Sequence, residues 1–116
     1  PHMLKAGGGN IINVATVPGL QGYANEAIYS ASKFAQVGLT QALDREFWQK
    51  NIKVTAVCPG GVETYFAIGD GRTEGSQQMK GFSTAEDVAE AVVLAALPRD
   101  RSRIVAVVMR PMNEQT

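Results

Sequence analysis

Tyr29 and Lys33 stand four residues apart, so on a helix both side chains leave one face, one turn from each other. A phenol is a poor proton carrier at neutral pH. A neighbouring ammonium favours the phenolate and makes the hydroxyl a usable proton donor and acceptor. Helices also carry a packed Tyr and a solvated Lys at this spacing, so the pair alone says little. It has company. Thr16 lies thirteen residues before Tyr29, with a hydroxyl suited to hydrogen-bond a substrate oxygen. Thirty residues after Tyr29 begins Pro59-Gly60-Gly61-Val62-Glu63-Thr64, a turn whose glycines let backbone come close to a ligand.

The elements that must position these residues follow from pattern. Asn10-Ile11-Ile12-Asn13-Val14-Ala15 is a short apolar run without alternation, as in a strand covered on both faces. Thr16 to Asn25, with Pro18, Gly19 and Gly22, reads as the loop leaving it. A helix is expected from Ala27 to Lys50, with Phe34, Val37, Leu43 and Phe47 at near-helical spacing and Asn51 as its stop. Lys53 to Cys58 is the second strand, ended by Pro59-Gly60-Gly61. The glycine-bearing stretch 62–81 has no regular pattern, and a loop that long in a small domain is functional or disordered. Ser83 with Glu86 three residues on reads as a capping box opening a second helix to Leu97, striped by Val88, Ala91, Val92 and Ala95. Arg103 to Met109 is the third strand. The order predicts an α/β fold, a short parallel sheet of about three strands with flanking helices. Ligands then bind where Thr16, Tyr29 and Pro59 meet, at the carboxyl ends of the strands.

Composition narrows the function classes. Eleven Lys and Arg balance eleven Asp and Glu among 116 residues, which argues against nucleic acid or an anionic membrane as partner. No apolar run approaches the roughly 18 residues of a spanning helix. One cysteine, Cys58, forms no internal disulfide; it reads as a buried small residue in a reducing, cytoplasmic compartment. Pro1-His2-Met3 reads as a cloning remnant ahead of a flexible lead-in through residue 8, which removes His2 and with it histidine chemistry. Asp44-Arg45-Glu46 reads as a solvated helix face and Arg99 to Arg103 as a turn of mixed charge. Asp70, Glu74 and Asp87 lack ligand spacing, so no metal is expected.

The ordered set resembles the short-chain dehydrogenase/reductase family, which carries a Ser, then Tyr-x-x-x-Lys thirteen residues on, then Pro-Gly-x-Val-x-Thr after the next strand. Tyr29-Ser30-Ala31-Ser32-Lys33 and Pro59-Gly60-Gly61-Val62-Glu63-Thr64 match. The similarity runs from about Gly9 to Met109, and Arg103 to Pro111 resembles the serine and hydroxy-acid dehydrogenase branch. The resemblance implies a partial Rossmann-like fold: residues 9–110 as the C-terminal half of a dehydrogenase domain, 62–82 as a substrate lid and 111–116 as a tail. It implies oxidation of alcohols or reduction of carbonyl compounds with NAD or NADP, on a small-molecule substrate. Tyr29 would be the acid–base group, assisted by Thr16 and Lys33. Tyr29, Lys33, Pro59, Gly60, Val62 and Thr64 would contact the cofactor. Two departures matter. Thr16 stands where the family has serine, and its extra methyl stiffens the side chain and takes up substrate space. The family's glycine-rich phosphate turn is missing, since Gly7-Gly8-Gly9 lacks a strand before it and a helix after it. Little dinucleotide binding is therefore expected of this chain alone. The alternative is a non-catalytic folding or association fragment, and its uncovered strand edge and helix face predict a homo-oligomer.

Overall fold

A computed structural model describes residues 1–70 and 72–114. Three parallel strands form one sheet in the order β1 (Gly9–Val14), β2 (Ile52–Pro59), β3 (Ala106–Met109). Gly9 pairs with Ile52 through to Val14 with Val57, and Ala56 pairs with Ala106 through to Pro59 with Met109. Central β2 is almost wholly buried, with Val54 and Val57 at 0% exposure. That burial is why its sequence is a continuous apolar run rather than an alternating one. The expected architecture is the one observed.

Helix α1 (His2–Ala6) replaces the expected flexible lead-in. Five residues do not hold a helix alone. Here Gly7, at φ 80°, closes it with bonds to Met3 and Leu4, Met3 seats against Gly9, and Asn51 Nδ2 donates to Gly7 O at 3.1 Å.

Helix α2 (Ala27–Phe47) passes into a single 3-10 turn at Trp48–Lys50, and Asn51 at φ 57° ends it. Its buried face differs from the expected apolar stripe: Ser30, Val37, Thr40 and Asp44 are buried, while Phe34 is 46% exposed. The reason is a polar ladder onto β1. Asn13 Nδ2 donates to Thr40 Oγ1 at 2.8 Å, Thr40 Oγ1 to Gln36 O at 2.8 Å, and Gln36 Nε2 to Val14 O at 3.3 Å. Satisfied in this way, polar groups are tolerated under the helix. Asp44, expected in solvent, is 7% exposed and accepts from Arg103 Nε at 2.6 Å and Nη2 at 3.0 Å. Arg103 is held protonated above its ordinary range, chiefly by that bond.

Helix α3 (Ala85–Ala96) is capped by Thr84 rather than Ser83. Thr84 Oγ1 accepts from Asp87 N at 3.2 Å and Asp87 Oδ2 from Thr84 N at 2.7 Å. Ser83 is not free to cap, because its backbone bridges Val62: Ser83 N donates to Gly61 O and Glu63 N to Ser83 O. The expected stripe of Val88, Ala91, Val92 and Ala95 is the less exposed side of α3. Strand β3 begins three residues later than expected. Thr55 Oγ1 takes the Ile104 carbonyl at 2.6 Å, in place of a ladder bond.

Candidate active site

The loops after β1 and β2 are tied to each other. Ala15 N continues the ladder to Val57 O at 2.7 Å, and Thr16 Oγ1 then donates to Pro59 O at 3.1 Å. A 3-10 turn at Val17–Gly19 follows. A Cβ on Gly19 would sit 2.8 Å from Lys33 O and 2.9 Å from Val37 Cγ2, so glycine lets this turn press against α2. The contact fixes the first turns of α2, where Tyr29 and Lys33 lie, beside the carboxyl end of β1.

Lys33 Nζ lies 5.7 Å from the Tyr29 ring centroid, so phenol and ammonium share a face as their spacing requires. The ammonium also donates to Gln36 Oε1 at 3.1 Å. Gln36 itself is anchored to Val14 O, so it fixes the lysine relative to the sheet. Spacing could have flagged Gln36, because it sits one turn beyond Lys33.

Thr16, Tyr29 and Gly60 line one cavity of about 740 Å³ at the carboxyl ends of β1 and β2. That is within the range of small-molecule sites. Its outer wall comes from the irregular stretch: Phe66, whose ring centroid is 6.2 Å from that of Tyr29, together with Arg72 and Phe82. Arg72 lies about 6 Å from the Phe66 and Phe82 rings. The sequence pattern singled out none of these three, because their spacing has no period.

The remaining expected residues lie off this lining. Pro59 contributes its carbonyl from behind, to Thr16. Val62 O accepts from Arg72 Nη1 at 3.5 Å. Thr64 Oγ1 accepts from Phe66 N at 3.3 Å and faces a second cavity of about 380 Å³ with Glu63, Tyr65 and Glu74. Lys33 reaches the site through the Tyr29 ring rather than through the wall. Cys58 is buried under the sheet end, and that burial pushes its thiol up from the ordinary range, away from the nucleophilic thiolate.

A family model described as short chain dehydrogenase matches residues 1–75. An uncharacterized oxidoreductase of Staphylococcus epidermidis is 34% identical over 97% of this chain and 46% of its own length. Ketoacyl reductase HetN of a Nostoc species is 33% identical over 98% of this chain and 39% of its own. Among solved structures, the closed form of serine dehydrogenase complexed with NADP+ superposes on the whole chain and on 49% of its own, with TM-score 0.90 and 28% identity. ElxO with NADP bound gives 0.75 and 29%, over 95% of this chain and 47% of its own. The chain spans about half the length of these relatives. With the Tyr29–Lys33 pair at the mouth of a parallel sheet and a family match over more than half its residues, the chain belongs to the short-chain dehydrogenases.

Proposed function

We propose that the chain is the substrate-handling half of an NAD(P)-dependent alcohol dehydrogenase or carbonyl reductase, with Tyr29 as its acid–base group. The observation that carries this reading is the shared cavity of Tyr29, Thr16 and Gly60, with Lys33 behind the phenol. Relatives named as oxidoreductases and structures with NADP bound lend support.

The residues present fit the nicotinamide end of such a cofactor. Gly60 brings no side chain into the cavity that it lines with the hydroxyl-bearing residues Thr16 and Tyr29. Tyr29, Lys33 and Gly60 would hold that end. Val62 and Thr64 would join once Arg72 and Phe66 release them. The nicotinamide, when bound, supplies or accepts the hydride. The Tyr29 hydroxyl would give its proton to the carbonyl oxygen in reduction, and in oxidation the same oxygen, deprotonated, would take one from the alcohol, with the Lys33 ammonium beside the ring. Thr16 spends its hydroxyl hydrogen on Pro59 O. In that state it accepts from an alcohol, and it must turn to donate to a carbonyl.

The pyrophosphate end has no such fit. Gly7-Gly8-Gly9 follows a short helix and enters a strand, the reverse of the strand–turn–helix order that seats phosphate. Residues 1–116 alone therefore bind NAD(P) weakly and turn over little, in a cytoplasmic setting that suits the free Cys58 thiol. The alternative reading, a non-catalytic homo-oligomeric module, is favoured by apolar side chains open on α2 and α3.

Supplied with a complementing dinucleotide-binding half, Tyr29→Phe should lose carbonyl-dependent NADPH oxidation by about 10²–10⁴-fold, with the circular dichroism spectrum unchanged. Retained turnover would overturn the assignment.

A further inference from the structure

The buried apolar residues of this chain are Val, Ala, Ile, Cys58 and Met79, and its rings are placed elsewhere. Four of the eight aromatic side chains, Tyr23, Tyr29, Phe66 and Phe82, line the cavity at the carboxyl ends of the strands, with Met79 beside them. Tyr23 and Phe66 stay 36% and 61% exposed there. Rings gain most when covered, so a chain that leaves them open on a concave wall offers that wall to a ligand. The wall is also braced. Arg72 lies about 6 Å from the Phe66 and Phe82 rings, and its Nη1 donates to Val62 O at 3.5 Å. The Phe82 ring rests on Gly61, where a Cβ would meet three ring carbons at 2.9 Å. Phe66 is thereby held in front of Tyr29, with ring centroids 6.2 Å apart and planes tilted by 39°. A third ring extends such a pair by offset or edge contact. The charges on the lining narrow the choice further. Glu26, Asp70 and Glu114 stand there against one guanidinium, Arg72. Glu114 is itself held by Arg110 Nη1 at 2.8 Å and by Gly61 N at 2.9 Å. An anion entering this space meets repulsion, and an uncharged planar molecule does not.

We propose that the substrate seated beside Tyr29 is an uncharged aryl ketone or aldehyde, or the matching aryl carbinol. Its ring packs among Phe66, Tyr23 and Met79, and its oxygen turns toward the Tyr29 hydroxyl. This deepens the proposed function and rests on it for the reacting end only. The aryl ring takes the side of the cavity built by the loop before α2 and by the irregular stretch, which leaves Gly60 and Gly61 to the nicotinamide. Met79, only 5% exposed, supplies a soft thioether that adapts to a ring edge. A saturated ketone of the same size fills the same volume but forms no ring pair. An aryl-substituted oxo acid forms the ring pair but brings its charge against the carboxylates of the lining.

The test is an NMR titration followed at the Met79 methyl group. Acetophenone is the probe, with cyclohexyl methyl ketone and benzoylformate as its saturated and anionic counterparts. Acetophenone should shift the methyl signal upfield and bind about three- to tenfold more tightly than cyclohexyl methyl ketone. Benzoylformate should bind more weakly than acetophenone. Phe66→Leu and Tyr23→Leu keep apolar bulk at open positions, so helix content should not change. Combined, they should bring the two ketones to within about twofold of each other. An excess of nicotinamide mononucleotide should leave the acetophenone shift in place. Equal affinity for the two ketones in the unmodified chain, or a preference that survives both ring removals, would overturn the proposal. So would tighter binding of benzoylformate. Displacement of acetophenone by the mononucleotide would assign the rings to the cofactor and overturn it as well. The titration needs no turnover. A Tyr29→Phe form that kept its activity would sink the reaction assigned above and leave the aryl seat intact.

Discussion

Thr16 does two jobs that pull apart. Its hydroxyl hydrogen is committed to Pro59 O at 3.1 Å, which ties the loop after β1 to the end of β2. The residue also lines the cavity that Tyr29 lines. The first job is structural and measurable without substrate. Thr16→Val keeps the volume and the methyl and removes only the hydroxyl, leaving a buried carbonyl without this donor. A loss of about 1–2 kcal/mol in urea unfolding is expected. Thr16→Ser keeps the bond, gives up about 0.8 kcal/mol for one buried methyl, and widens the cavity. If Thr16→Val were as stable as the unmodified chain, the hydroxyl would not be the tie between the loops. The buried Cys58 beside this tie is a packing residue, as its type and strand-end position suggested.

At the scale of elements, the helix start after the irregular stretch separates what pattern can say from what it cannot. Ser83 and Thr84 are both good caps, and both have an acidic residue three positions on. Only the bridge between Val62 and Ser83 decides between them, and that bridge is a long-range pairing. Thr84→Ala should therefore cost about 1 kcal/mol in thermal or urea unfolding, while Ser83→Ala should stay within about 0.5 kcal/mol. The reverse order would put the cap back at Ser83. The same division runs through the molecule. The strands were legible because covered parallel strands are continuous apolar runs, and Tyr29 and Lys33 because four residues is one helical turn. The buried face of α2 was not, since its Thr40 and Asp44 are polar and become acceptable only through partners on β1 and at Arg103. Nor were Phe66, Arg72, Phe82 and Glu114, which reach the cavity from aperiodic segments that only the folded chain brings together.

At the scale of the whole molecule, the chain carries more surface than its mass should. Its accessible area is 7832 Å², whereas a folded monomer of 12.4 kDa exposes about 6,100 Å². Its radius of gyration is 15.8 Å, against about 13 Å for a compact domain of this length. The surplus, about 1,700 Å² per chain, exceeds the roughly 800 Å² that each partner gives to a standard interface. Its apolar part is identifiable. Ile28 is 88% exposed and Leu39 57% on α2, Val93 and Leu94 are open on α3, and β1 pairs with β2 alone, which leaves its other edge without a strand among the described residues. Unpaired strand edges and broad apolar faces drive association. Sedimentation velocity at micromolar concentration should therefore show a dimer or larger assembly. Ile28→Glu with Leu39→Glu, both on the open side of α2, should shift it toward monomer while leaving helix content unchanged. A clean monomer of the unmodified chain would mean that these faces stay wet despite their composition, and that the surplus surface is tolerated rather than covered.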